Sequence, residues 1–473
     1  MNLTKHLTGL LALSLTSLMG SGCGAASDSS EGTAADSTAA AADDSADEDV
    51  PPSLILISLD TLRYDHCGFN GYERDTTPFL DELAKESIVF DRAYTTMSWT
   101  LIAHMSMLTG LFPSQHGVLI PQLALTEDFP TLAERLSSEG YFTSGVYSCN
   151  WLGDRYGFSR GYDRYERATS VEEADAFVQE TLEQMKPGFP SFQFIHLFGI
   201  HSGSLGRKGS TIYEPPPPFD GLFIEDAKAR LAEIDARAWW NSSADPTPEQ
   251  HEAMVALYDG GIRHLDSVLK GWFAEWERRG LLDNTIVVVT SDHGEGLRQR
   301  LPRYGGHGDL NVEGLQIPLL VRLPNGERGG ERVDHLLSLV DIVPTVLDAA
   351  GLPGDERLPG YSAIGEARAG DQWVFAANNN VAAAIAQDRK IIYAETSPRL
   401  IYHLDEDPGE LNGITPATDR KLFMETAPPL LDAALSQLGA YFQPNSPFIT
   451  HELTEKAKDN LRALGYGGEI DGK

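Results

Sequence analysis

The chain has 473 residues, 41% of them hydrophobic, enough to bury one large core and a smaller one. Its formal charge is −32 and no cluster of Lys and Arg offsets it, so the electrostatic footprint needed to hold a nucleic-acid backbone is missing. An anionic group in an active site remains compatible with that balance, because a bound cation inverts the charge locally.

Residues 1–23 read as an export signal. MNLTKH is a short, weakly basic start, LTGLLALSLTSLMG is an apolar stretch too short to span a bilayer, and SGC closes on Cys23. Small residues ending in a cysteine resemble the processing site of bacterial lipoproteins, whose cysteine becomes the lipidated first residue, although Gly20 stands where that signal usually has Leu. The expectation is an exported protein, periplasmic or at the cell surface, joined to a membrane only through lipid on Cys23. A plain secretory signal cleaved nearby is the alternative. Residues 24–50 carry eight acidic residues, no basic ones and no aromatics; such a stretch cannot bury enough surface to fold and reads as a disordered tether. Of the remaining thiols, Cys67 and Cys149 have the option of pairing outside the cytoplasm, and neither sits in a CxxC pair that would hold zinc or an iron–sulfur cluster.

The first structured element is SLILISLD, a continuous apolar run with β-branched residues that ends in Asp60, the pattern of a buried parallel strand. TTPFLDELAKESIVF gives a helical period after a turn, and TMSWTLIAHMSMLTGLFP begins with Thr and Ser in cap-like positions before an apolar stripe. EDFPTLAERLSSEGYFTSGVY is a helix-to-strand unit, SFQFIHLFGIH is strand-like with two histidines, and NTIVVVTSDHGEG is a second clear buried strand leading to Asp292. QIPLLVRLP and LLSLVDIVPTVLDAAGL add a strand and a helix. This alternation predicts an α/β fold with a mostly parallel central sheet flanked by helices over residues 51–370. Residues 371–473 change texture: IAQDRKIIYAETSPRLIYHLDEDPGELNGI alternates apolar and polar residues between turn signals. That predicts a small C-terminal antiparallel sheet, followed by a closing helix in TEKAKDNLRALGYGG.

In parallel α/β sheets ligands bind beyond the carboxyl ends of the strands, and three apolar runs lead there to Asp60, His201 and Asp292. Asp292 and His293, followed by Gly294, form a carboxylate–imidazole pair in a tight turn, suited to a divalent cation with mixed oxygen and nitrogen ligands. Asp60 reads equally as a ligand or a helix cap. His196 and His201 lie five residues apart, so on one strand they would face opposite sides of the sheet. His201 is then the candidate for the site and His196 reads as a satisfied core histidine. His307, in GGHGD, has glycines that let backbone approach a ligand, or is a plain turn residue. Thr100 and His104 are four apart and share a helix face. Periodicity alone makes Thr100 a first-turn residue, while a neighbouring cation would make its hydroxyl a nucleophile.

With these residues in place, the chain from 53 to 467 resembles the sulfatase family of the alkaline phosphatase superfamily. The resemblance rests on LISLDTLRYDHCGFNGYERDTTPFLDELA, SWTLIAHMSMLTGLFPSQHGV, LLDNTIVVVTSDHGEG with GGHGDLNVEGLQIPLLVRLP, SLVDIVPTVLDAAGL and LIYHLDEDPGELN, in that order. It implies that Asp60, Asp292 and His293 hold a divalent cation (calcium, manganese, zinc or magnesium), that position 100 carries the nucleophile, and that His201 protonates the leaving group. The departures are specific. Thr61 stands where many sulfatases have a second metal-binding Asp, Ile102 and His104 replace the Pro and Arg of the Cys-x-Pro-x-Arg signature, and GIHSGS replaces Asp-Pro-His-x-Pro-Tyr. Sulfatases convert Cys or Ser at the nucleophile position to formylglycine; Thr offers no such route, but is the kind of nucleophile found in related phosphodiesterases.

The resemblance therefore implies a metal-dependent hydrolase of phosphate or phosphonate esters with one or two ions, in which His104 or His307 binds a substrate oxygen or activates water, or His307 instead helps bind a second metal. Its substrate is expected to be a small anionic ester, or a sulfated or phosphorylated glycan or lipid. Three alternatives stand beside it: a sulfatase working without formylglycine, a phosphoryl transferase, and a non-catalytic surface lipoprotein binding an anionic glycan or lipid head group. Specificity is expected in residues 202–249, where Trp239 and Trp240 line a sugar or aryl pocket or are buried as core.

Overall fold

The run SLILISL forms the strand β1 (Ser53–Leu59), buried at every position after Ser53. A strand hidden on both faces needs a neighbour along each edge and a layer against each side. The neighbours come from the other apolar runs: β2 (Ile88–Phe90), β3 (Phe142–Tyr147), β4 (Arg164–Arg167), β5 (Ser191–Leu197), β6 (Thr285–Thr290), β7 (Leu319–Arg322) and β8 (Arg332–Val333). They assemble in the order β8-β2-β7-β6-β1-β5-β3-β4. All neighbours run parallel except those involving β7, which is antiparallel to both β6 and β2. In the computed structural model the described residues are 50–185, 188–202, 211–232, 246–297, 310–365, 372–378, 381–394, 397–438 and 449–450. They fall within one compact unit, Asp49–Lys473.

Side chains alternate across the sheet, and each face builds its own core. Leu54 and Leu56 of β1, with Phe192, Phe194, Ile286 and Val288, meet the helices α2 (Thr100–Thr109), α3 (Leu132–Ser138) and α6 (Ile342–Ala349). Ile55, Ile57 and Leu59, with Ile195, Val287 and Val289, meet α1 (Pro78–Ala84), α4 (Val171–Leu182) and α5 (Pro248–Arg278). This is the α/β architecture expected, with helices on both faces.

The 31-residue helix α5 was not among the expected elements. It opens on a capping box between Thr247 and Gln250 with Pro248 in first position, but Gly260 and Gly261 interrupt its pattern. Those glycines have a packing reason: a Cβ on Gly260 would sit 2.3 Å from the carbonyl oxygen of Phe219, so only glycine lets the crossing loop approach.

The C-terminal region forms the expected antiparallel sheet from β9 (Val374–Asn378), β10 (Val381–Ile385), β11 (Arg389–Ala394) and β12 (Ser397–His403), each paired with the next. The helix α7 (Arg420–Leu438) covers it through Phe423, Ala427, Leu430 and Leu431. Cys67 and Cys149 are both free and buried, so the pairing open to them is not made. Among the described residues no helix is long and apolar enough to cross a membrane. The export signal with Cys23, the acidic tether, Trp239, Trp240, His307 and the TEKAKDNLRALGYGG segment lie outside the described residues.

Candidate active site

The register of three adjacent strands creates the site. Ser58 of β1 stands opposite His196 of β5 on one side and opposite Thr290 of β6 on the other. Two residues beyond Ser58 comes Asp60, and two beyond Thr290 comes Asp292, so parallel pairing delivers both carboxylates to the same sheet end. His293 follows at once, and Asp60, Asp292 and His293 offer ligand atoms that all lie within 4.8 Å of one another. All three residues are fully buried.

The donor set fits a divalent cation. Asp60 Oδ1 and Asp292 Oδ2 are buried and find no hydrogen-bond partner among the described residues, whereas the other oxygen of each is engaged. His293 Nδ1 lies 2.8 Å from the Gly294 carbonyl, which only accepts. The ring therefore carries its proton on Nδ1 and turns Nε2 towards the carboxylates, 3.3 Å from Asp292 Oδ2. Gly294 permits this turn, because a Cβ there would lie 1.9 Å from the Glu313 carbonyl oxygen. Burial pushes the Asp60 carboxyl well above its usual range, and Asp292 pushes it further. Glu295, also fully buried, adds a third carboxyl to the same negative field. Asp292 stays below the ordinary carboxylate range despite its burial, held there foremost by His293, with the Thr61 amide adding to the effect.

Thr100 is the first residue of α2, and Trp99 before it makes no side-chain cap. The Thr100 hydroxyl lies 3.4 Å from Asp60 Oδ2 and 3.4 Å from His293 Nε2. Thr100 is thus a first-turn residue, as its periodicity suggests, and its hydroxyl also faces the acidic pair. His104, one turn on, donates from Nδ1 to the Thr100 carbonyl at 2.9 Å and accepts the Ser58 hydroxyl at Nε2, also at 2.9 Å. It stands beside Asp292, with Nδ1 3.5 Å from Oδ2, but both ring nitrogens are engaged.

The alternation expected of His196 and His201 does not apply. The strand stops at Leu197, so His201 lies in the turn beyond it and strand alternation does not relate the two. His201 donates from Nδ1 to the Ser202 carbonyl at 2.7 Å, stacks on Phe198, and is close enough to His293 and Asp292 to feel their charge. His196 is buried and satisfied, as expected for a core histidine, yet it also reaches the site: its Nε2 lies 3.0 Å from Asp60 Oδ2.

Thr61 and two residues with no local signal, Tyr258 and Arg63, shape the loop after Asp60. Thr61 adopts φ 61°, a conformation that costs a β-branched residue on the order of 1–3 kcal/mol. It is held by an amide bond to Asp292 Oδ1 at 3.2 Å and by Tyr258 of α5, whose hydroxyl donates to the Thr61 carbonyl at 2.7 Å and accepts the Arg63 amide at 3.0 Å. Arg63 is itself buried, bound through Nε and Nη2 to both oxygens of Asp65 and through Nη1 to the Glu295 carbonyl. An arginine four residues past a strand end reads as surface; only the fold reveals that it underpins the acidic loop.

A family model described as Sulfatase matches residues 52–352. The chain belongs to the sulfatase family. It is 23% identical to an arylsulfatase of Clostridium perfringens over 78% of this chain and 91% of that protein, and 23% identical to an ulvan-active sulfatase of Formosa agariphila over 85% and 84%. Its fold superposes on the phosphonate monoester hydrolase of Agrobacterium radiobacter with a TM-score of 0.65 at 21% identity, covering 86% of this chain and 99% of that one. This sulfatase-family chain is thereby an ester hydrolase, and the family match spans Asp60, Thr100, His201, Asp292 and His293 together.

The buried imidazoles set an acid limit on stability. Burial lowers His104 to about 3, His196 to about 4 and His201 to about 3, from an ordinary 6.5. A histidine depressed on folding contributes stability that is present above its unfolded value and lost as pH falls towards the folded one. Burial lowers His116 to about 3 as well and also depresses His264 and His335, so the upward-shifted Asp60, Asp81 and Asp266, which work the other way, are three carboxyls against six imidazoles. The thermal midpoint of the metal-free protein, followed by circular dichroism, is expected to fall steadily between about pH 6.5 and pH 4. A midpoint constant across that window contradicts these assignments.

Proposed function

We propose that this sulfatase-family protein is a metal-dependent hydrolase of phosphate or phosphonate esters that uses Thr100 as its nucleophile. The observation that carries the reading is the position of the Thr100 hydroxyl, 3.4 Å from both an Asp60 oxygen and the His293 nitrogen of a buried ligand set. A divalent cation held by Asp60, Asp292 and His293 would lower the pKa of a neighbouring hydroxyl and neutralise charge on the substrate's oxygens. Thr100 Oγ1, having released its proton, attacks phosphorus in line, the bond from phosphorus to the leaving oxygen breaks, and water then takes the phosphoryl group from Thr100 and returns a proton to Oγ1. Thr100 also opens a ten-residue helix, whose positive end favours an incoming anion.

His201 supplies the proton to the departing oxygen. Burial keeps it neutral in the free protein, and an anionic ester seated against it favours the protonated ring, so the acid form arises with the substrate. His104, with both nitrogens engaged, orients the first turn of α2 rather than touching substrate. His307, outside the described residues, retains the role of binding a substrate oxygen or activating water. The substrate class is a small anionic ester or a phosphorylated or sulfated glycan or lipid, met outside the cytoplasm by a protein tethered through lipid on Cys23.

A second reading, hydrolysis of sulfate esters without formylglycine, is favoured by the family match and by relatives named as an arylsulfatase and an ulvan-active sulfatase. Threonine weighs against it. A formylglycine hydrate expels sulfate by collapsing to an aldehyde, whereas a sulfated threonine, like a phosphorylated one, must be cleaved at its central atom, a step better attested for phosphorus in the related phosphodiesterases.

Turnover of aryl phosphates, phosphonates and sulfates before and after chelation, with manganese, zinc, magnesium or calcium restored, distinguishes the readings. Phosphate or phosphonate turnover is expected to depend on the cation, to fall by about 10⁴-fold or more in Thr100→Ala, and to leave phosphothreonine at position 100 in quenched reactions read by mass spectrometry. Sulfate turnover that survives Thr100→Ala contradicts the mechanism. For His201→Asn the expected loss is about 10²–10⁴-fold with alkyl esters and much smaller with nitrophenyl esters, whose leaving group needs no proton. Equal losses with both remove His201 as the acid.

A further inference from the structure

The two oxygens of Asp60 have different surroundings. Oδ1 has no donor among the described residues, while Oδ2 lies 3.0 Å from His196 Nε2 and 3.4 Å from the Thr100 hydroxyl. A neutral imidazole donates from one nitrogen only, and the partner of the other nitrogen decides which. The Ser148 backbone N–H lies 3.2 Å from His196 Nδ1. An amide N–H can only donate, so Nδ1 is the acceptor and the ring proton sits on Nε2, aimed at Asp60. Ser148 also donates its hydroxyl to the His196 carbonyl at 3.0 Å, so one residue fixes both the ring and the main chain. The remaining freedom of the ring is taken up by packing, edge-on to His104 at 4.9 Å with an interplanar angle of 82°.

Two roles that a buried histidine beside a carboxylate could have are excluded by this geometry. A histidine kept only to fill the core would have no reason to spend its single proton on a group already short of positive partners. A metal ligand needs a lone pair, and the nitrogen nearest Asp60 carries a hydrogen. We propose that His196 is the positioning residue of the metal centre: its Nε2–H holds Asp60 Oδ2 so that Oδ1 is turned to the cation, and its ring never joins the ligand set. The inference rests on the reading of Asp60, Asp292 and His293 as a cation site. It assigns to the β5 strand itself a part in that centre, beside the ligands delivered by β1 and β6.

The test is manganese titration of the full chain by calorimetry, comparing wild type with Asp292→Asn, His196→Phe and His196→Gln. A Gln amide places an N–H donor near the position of Nε2, and Phe keeps ring volume without a donor. Wild type is expected to bind, Asp292→Asn to lose binding, His196→Phe to bind about 10–100-fold more weakly, and His196→Gln to recover to within a few fold of wild type. Equal affinity in wild type and His196→Phe overturns the inference while leaving the cation site standing, and so do equal losses in the Gln and Phe variants. A wild type that binds no manganese overturns the cation site and this inference with it. Because a core substitution can also impair folding, imidazole nitrogen NMR of the metal-free wild type gives a second reading that needs no variant. A His196 ring protonated at Nε2 is expected, and one protonated at Nδ1 overturns the assignment.

Discussion

Asp60 and Asp292 impose the constraint on which the rest of this structure depends: two carboxylates, fully buried, share one small volume, and Glu295 adds a third acidic group beside them. Isolated charges of one sign are expensive to remove from water, and they persist in proteins when paired or when they coordinate a cation. Protein donors answer part of the demand, through the Thr61 and His293 amides on Asp292 and the His196 ring on Asp60. One oxygen of each carboxylate is left over, and these two with His293 Nε2 make a mixed oxygen and nitrogen donor set. The parallel register of β1 and β6 brings the set together, so the apolar core on the sheet and the buried acidic cluster at its end are consequences of the same strand pairing.

Strain and support are concentrated around that cluster. Thr61 sits in the left-handed region directly after Asp60 and is pinned by Tyr258 from the middle of α5, so a helix on one face of the sheet stabilises a loop at its end. On the other face α2 presents Thr100, with its first turn tied to β1 through His104 and Ser58. Thr100 and the acidic pair are therefore held by separate layers that meet at the strand ends. Fixed geometry of this kind is what in-line attack on a tetrahedral anion requires, because misplacement by an ångström costs orders of magnitude in rate.

Much of this was legible in the sequence, and the failures have identifiable causes. Continuous apolar runs located β1, β5 and β6, and the acids that follow β1 and β6 pointed to the candidate site, because both signals are local. Thr100 stayed ambiguous since every residue of α2 is buried, which leaves no polar face against which its hydroxyl could stand out. His196 was assigned to the core by extending strand alternation to His201, four residues past the point where β5 ends. The helix α5 was hidden by Gly260 and Gly261, whose presence answers to a loop far away in sequence. Arg63 and Tyr258 reach the site's loop through partners more than 190 positions distant, a separation at which pattern reading has no purchase.

The central claim is that the buried carboxylates exist to hold a cation against which Thr100 is aimed. Anomalous diffraction from crystals grown with manganese measures this most directly. The account predicts a strong peak bonded to Asp60 Oδ1, Asp292 and His293 Nε2, within reach of the Thr100 hydroxyl. Crystals that bind manganese elsewhere, or that leave the Asp60 and Asp292 carboxyls sharing a proton with no metal between them, would contradict it.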